Sequence, residues 1–184
     1  MLNSFLKSAL LLILLLDGCK IDRDKPVDRN KFTFEMPDDA ELFFRNVRQI
    51  YYDRSSPDGK WQAYRFKDFY DGNDRPLIVP VIVINWLKDE AYLLVNTNEV
   101  LSEEDFLSVV IADKLQHKTD TISLSQRGRE NMLEFASRLY EGIQQQQPMF
   151  VKSKNEYLPL LDNEDDRESF RITMSDYYRL TRIY

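Results

Sequence analysis

Three features of the sequence predict an α+β fold: an antiparallel meander sheet covered on one side by two or three helices, in a single domain. Residues 31–95 carry short apolar runs with strand periodicity, separated by turn clusters of Pro, Gly, Asn and Asp. Residues 126–145 carry apolar residues at helical spacing instead. Glycine is scarce, with 5 in the chain, which argues against propellers and tight-turned solenoids.

In chain order, Lys31–Met36 alternates Phe32 and Phe34 with polar neighbours, the period of a strand. Residues 40–54 read two ways. Phe43, Val47, Ile50 and Tyr51 fit one helical face, and Asp38 with Glu41 has the form of a capping box. The segment is also rich in aromatic and β-branched residues and runs into Ser56-Pro57-Asp58-Gly59, a type I turn signature. A hairpin with strand Lys60–Lys67 explains both flanks, so strand is expected for the second half of 40–54. Asp71-Gly72-Asn73-Asp74 is a turn. Leu77–Leu87 reads as a central strand with a bulge at Pro80, which has no N–H to give a ladder. Lys88-Asp89 turns the chain back into Ala91–Val95.

The second half changes character. Ser102-Glu103-Glu104-Asp105 has the acids of a helix start, and the following FLSVVIADKL fits helix or strand. Thr121–Ser125 reads as a strand. Gln126–Gln145 is the clearest helix, with Leu133, Ala136, Tyr140 and Ile143 on one face and Pro148 beyond its end. Asp162–Glu168 reads as an acidic loop, and Ser175-Asp176 as the cap of a short final helix.

Residues 1–18 have the form of an export signal. Lys7 is the one charge in the first seven residues, and Ala9–Leu16 is an unbroken apolar run, far short of the roughly 20 residues that span a bilayer. The run ends in Leu16-Asp17-Gly18-Cys19, which resembles the lipobox of bacterial lipoproteins in Leu16 and Gly18, with Asp17 where a small or apolar residue is usual. The resemblance implies cleavage before Cys19, lipid on its thiol, and a place in the bacterial cell envelope, on the periplasmic face or the cell surface. Two or more acyl chains give stable anchoring. Residues 19–30, charged and without apolar period, are expected to be the lipid-anchored cysteine and a flexible tether, and 31–184 the globular domain. Removing 18 residues from 184 leaves enough chain to bury roughly 70% of its unfolded surface. Cys19 is the single cysteine, so no disulfide is expected within the domain.

The chemistry is read mostly by exclusion. Net charge is −6, and Lys7 and Asp17 cancel in the signal, so the mature chain keeps the acidity. That argues against nucleic acid, which needs a basic footprint. One histidine, His117, lies in the polar stretch 114–120 and reads as a surface residue. No Cys–His pair, CxxC, HExxH, GxSxG, GxGxxG or GxxxxGK occurs, so no metal site, cofactor or catalytic residue is expected. The acids around Asp68–Asp74 lack the spacing of a calcium loop and read as a turn. Trp61, Tyr64, Phe66, Phe69 and Tyr70 read as half a core.

The function expected is a non-enzymatic, lipid-anchored envelope protein that binds another macromolecule, with immunity, assembly and adhesion roles left open. The alternative is a carboxylate-dependent hydrolase of cell-wall glycans, which would show a pair of buried, facing carboxylates. An exposed apolar patch would favour the binder. Negative charge suggests a protein partner with a basic surface, met by Glu164, Asp165 and Asp166.

Overall fold

A computed structural model describes residues 26–56, 59–102, 106–113, 118–154 and 156–184. The described residues fold as α+β, with two four-stranded antiparallel sheets and three helices. The first sheet is the expected meander, in the order β1 (Tyr52–Ser55), β2 (Gln62–Phe66), β3 (Ile78–Asn85) and β4 (Glu90–Thr97). The second half builds a sheet of its own, with β5 (Leu107–Asp113), β6 (Lys118–Leu124), β7 (Met149–Ser153) and β8 (Glu156–Leu160) in the order β6-β5-β7-β8.

All eight residues of β3 are buried, which explains its unbroken apolar run. The expected bulge at Pro80 is not there. Pro80 pairs with Val95 in a continuous ladder to β4, and the ladder from β2 ends at Ile82, before reaching Pro80. On β4 the burial alternates, with Ala91, Leu93 and Val95 inside.

The helices are α1 (Asp38–Phe43, continued by a wide turn over Phe44–Arg48 and a tight one over Gln49–Tyr51), α2 (Arg129–Gln144) and α3 (Glu164–Leu180). The helix α2 packs on β4 and β6 and so joins the two sheets, while α3 lies on β3 and β4 beside α2 and α1. The seam between α2 and α3 is aromatic and hydroxylated: the buried Tyr178 O–H donates to Ser137 Oγ at 2.7 Å, and Tyr140 packs edge-on against Tyr178.

Six further expectations are corrected. Residues 40–54 are helical through Tyr51, and only Tyr52–Ser55 is strand. Phe44 docks between Tyr52 and Tyr64, and that packing outweighs the segment's β propensity. No capping box forms there: Pro37 is the N-cap, and Glu41 pairs with Arg45. The segment Asp162–Glu168 is no loop but the entry to α3. Asn163 caps it by accepting the Asp165 N–H at 2.7 Å, and the acids fill the first turn, where the helix dipole favours them. Ser175 and Asp176 therefore sit inside α3 rather than at its start. Finally, the stretch expected to tether the domain is docked from Val27 onward: Val27 is buried, and Arg29 bonds Glu134 at 3.0 Å and Glu141 at 2.7 Å on α2. Lys31–Met36 meets the first sheet through one bridge, Glu35 to Glu90, rather than as a full strand.

Candidate interaction surface

The helix α1 is apolar on two faces. Phe43, Val47, Ile50 and Tyr51 recur at the spacing that normally turns a stripe toward the core. Here the stripe faces outward. Leu42 is 60% exposed, Phe43 46%, Val47 45%, Ile50 62% and Tyr51 45%. Phe44 points inward, its ring centroid 5.2 Å from that of Tyr64 in an edge contact. The Gln49 N–H closes the wide turn on the Phe44 carbonyl. Such single wide turns recur at functional sites because they re-aim the side chains that follow.

Beside this stripe a cavity of about 310 Å³ opens between α1 and the C-terminal end of α3. Phe43, Phe44 and Leu180 give it apolar walls, and Arg48, Arg179, Arg182, Asp39 and Asp176 give it charge. Asp176 is its buried centre. Arg48 Nε donates to both carboxylate oxygens at 2.9 Å, the Tyr52 O–H donates to Oδ2 at 2.7 Å, and an Arg179 nitrogen stands 3.8 Å from Oδ1. Burial pushes the Asp176 carboxyl above the usual carboxylate range, against the pull of the Tyr52 hydrogen bond and of Arg48. Burial, with the neighbouring Asp176 charge, also pushes the Tyr52 phenol well above its usual value. At the exposed rim Arg182 binds Asp39 at 2.5 and 2.6 Å and holds its carboxyl below the usual value. Three guanidiniums thus face two carboxylates in a chain whose net charge is −6.

The three acids singled out from sequence part company. Glu164 and Asp165 are exposed on the first turn of α3, but Asp166 is buried and bound to Arg75 at 2.6 Å, with the Tyr70 N–H at 3.4 Å. Arg75 also lies over the Tyr70 ring, 4.4 Å from its centroid. Asp166 therefore fastens the 70–75 loop to α3 and is not available to a partner. Cys19 and His117 lie outside the described residues.

No family model, curated protein or solved structure matches the chain. The described side chains alone bear on the chemistry. The buried carboxylates among them, Asp166 and Asp176, lie ten residues apart on one helix, about 15 Å along its axis. Each is engaged by an arginine, and they are not the facing pair, roughly 5 to 9.5 Å apart, of a glycosidase. In the turn at 71–74, Asp71 pairs with Arg65 at 2.6 Å and Asn73 donates to Glu99 at 2.8 Å. Among the described residues no cluster of His, Cys, Asp and Glu fits a metal ion, and no helix is long and apolar enough to cross a membrane. Tyr64, Phe66 and Phe69 are core residues, Trp61 is half-buried against Tyr92, and Tyr70 is exposed.

The spacing of the α1 stripe was readable from sequence, but its outward direction was not. The signal that could have shown it is the adjacent pair Phe43-Phe44: apolar neighbours on a helix point to different faces, so one of the two has to leave the core.

A second hollow, of about 590 Å³, runs between the outer edge of β6 and α2, lined on one side by consecutive residues Asp120–Gln126. Its walls are mainly polar, and Asp120 is already engaged by Arg138.

Proposed function

We propose that this chain is a non-enzymatic, lipid-anchored protein of the bacterial cell envelope that binds another macromolecule, and that the outward stripe of α1 is its binding face. The observation that carries the reading is the group of five large apolar side chains, Leu42, Phe43, Val47, Ile50 and Tyr51, exposed within ten consecutive residues. Scattered exposed apolar residues are ordinary, whereas contiguous patches rimmed by polar groups mark interaction sites. The rim carries arginine and tyrosine, the residues enriched at protein interfaces: Arg48 lies 4.8 Å from the Tyr51 ring centroid, and exposed Arg45 projects from the same helix. Lipid on Cys19 would hold this face at the membrane without α1 having to enter it. The rigid base under α1, set by Phe44 and by the Arg48–Asp176 fork, presents the stripe ready-formed and lowers the ordering cost of binding.

The test replaces Leu42, Phe43 and Ile50 by Ser in the full-length, lipidated protein in its own cells. The variant should keep its thermal stability and lose a partner that co-purifies stoichiometrically with the wild type. Retention of the same partner at the same yield would contradict the reading.

A further inference from the structure

The end strands of the two sheets are not equally protected. An end strand turns every second N–H and C=O away from its one neighbour, and proteins blunt such edges with short strands, charge, proline or a covering segment. Strand β1 has four residues, with Asp53 and Arg54 at its middle. The start of β4 is met by the N-terminal segment: the Phe34 carbonyl accepts the Ala91 N–H at 2.8 Å, and the Met36 N–H donates to the Asp89 carbonyl at 2.7 Å. Strand β8 has five residues and contains Pro159. Strand β6 differs. It has seven residues, pairs with β5 in unbroken register from Lys118 to Leu124, and holds neither Pro nor Gly. Asp120 is drawn to α2 by Arg138, which leaves Thr121–Leu124 uncharged. Among the described residues no further strand or bridge meets its outer side.

We propose that the groove between the outer edge of β6 and α2 is a docking site for an extended, uncharged segment of a partner protein, which adds to the second sheet as one more strand. The inference goes beyond the reading of α1 and does not rest on it.

The shape of the hollow carries the proposal. Side chains of a strand alternate between its two faces, so a hollow of about 590 Å³ that touches every residue from Asp120 to Gln126 lies along the strand's edge and not on one face. Its other wall is one face of α2, with Asn131, Glu134, Phe135 and Arg138 at helical spacing. A strand laid there would exchange main-chain hydrogen bonds with β6 and turn every second side chain toward α2, over the apolar floor of Ile122, Leu124 and Phe135. The charges around the groove are already matched: Arg138 binds Asp120, and Glu134 binds Arg29. A charged side chain entering it would find no unpaired counter-charge among these groups, so the fitting occupant is uncharged and held by its backbone. A bilayer lacks the N–H and C=O groups that an open strand edge takes.

The probe is a seven-residue peptide of alternating Val and Thr with both ends blocked, used below the concentration at which it associates with itself. Its control is the same peptide N-methylated at every residue, which keeps the side chains and removes the N–H donors. Both are titrated by fluorescence anisotropy against the full lipidated protein in nanodiscs, with hydrogen exchange read by mass spectrometry. The parent peptide should bind at least roughly tenfold tighter than the control, change little with salt, and slow exchange in β6. N131W, which fills one end of the groove from an exposed position on α2, should weaken binding at least roughly tenfold, whereas F43S with I50S should leave it unchanged. Binding of neither peptide, equal binding of both, or protection that falls on α1 and is lost in F43S with I50S would overturn the proposal. So would a doubled mass with β6 protected in the absence of peptide, which would make a second copy of the chain the occupant. None of these outcomes touches the α1 reading except protection on α1, which would support it.

Discussion

Arg48 and Asp176, 128 residues apart in sequence, meet beneath α1 in a fork where the one Nε–H of Arg48 is shared between both carboxylate oxygens at 2.9 Å. The carboxylate is almost fully buried and the guanidinium largely so, and Tyr52 adds a third bond to the same carboxylate. This contact joins the first helix to the last and fixes the base from which the α1 stripe projects.

Removing one partner of such a pair strands a buried charge. R48A should therefore destabilise the protein by about 3–5 kcal/mol in chemical denaturation, whereas R45A, on the exposed side of the same helix, should cost under about 1 kcal/mol. Equal losses would show that the fork does not organise α1.

The same carboxylate makes a pH prediction. Its folded value is raised, so the folded state holds the Asp176 proton more tightly than the unfolded chain does. The site's contribution is most favourable below the ordinary carboxylate range and is lost as pH rises through that range to the raised value. Measured against D176N, which keeps a neutral group of similar shape, wild-type stability should fall relative to the variant from acid toward neutral pH. A relative rise would mean that Arg48 outweighs burial.

Neighbouring phenylalanines should behave oppositely. F44A empties a buried site among Tyr52 and Tyr64 and should cost about 3–5 kcal/mol. F43A removes an exposed ring and should shift stability by within about 0.5 kcal/mol. Thermal or denaturant melts of the two variants check this. A large loss in F43A would place the stripe in the core and remove it as a surface.

The acids of α3 should separate in the same way. D166A leaves the partly exposed Arg75 without its carboxylate and frees the Tyr70 loop, at about 1–3 kcal/mol. E164Q and D165N lose only helix-terminus electrostatics, about 0.3–1 kcal/mol each. Equal costs in denaturation would show that burial does not distinguish the three acids.

The anchor is tested by C19S, which should remain unprocessed by the lipoprotein peptidase, while the wild type partitions into the detergent phase with acyl mass on its N-terminal peptide. Wild-type protein in the aqueous phase would remove the anchor.

Much of the fold was legible because it rests on local signals. The β3 run, the turns around it and the stripe of α2 each specify an element within a few residues. The entry to α3 was missed because its buried face mixes Ser169 and Thr173 with Phe170, Met174 and Tyr177, which dilutes the apolar period. The Thr173 hydroxyl is satisfied by its own helix, through the Ser169 carbonyl at 2.9 Å, and so can be buried at little cost. The β7–β8 hairpin was missed because its strands are five residues each and β8 contains Pro159, tolerated at the edge of the second sheet. The candidate site was legible in composition and not in direction. Sequence gave the spacing of Phe43, Val47 and Ile50, but the side they face depends on Phe44 meeting Tyr64 and Arg48 meeting Asp176, contacts between distant segments.

Coverage of the α1 stripe by a protein is read by placing a photo-crosslinking amino acid at 43, 47 or 50 of the lipidated protein in living cells, with exposed Lys88 and Lys152 as control positions. One discrete protein adduct is expected, shared by all three stripe positions and missing from both controls. Adducts to lipid alone, or an adduct pattern the same at stripe and control positions, would contradict it.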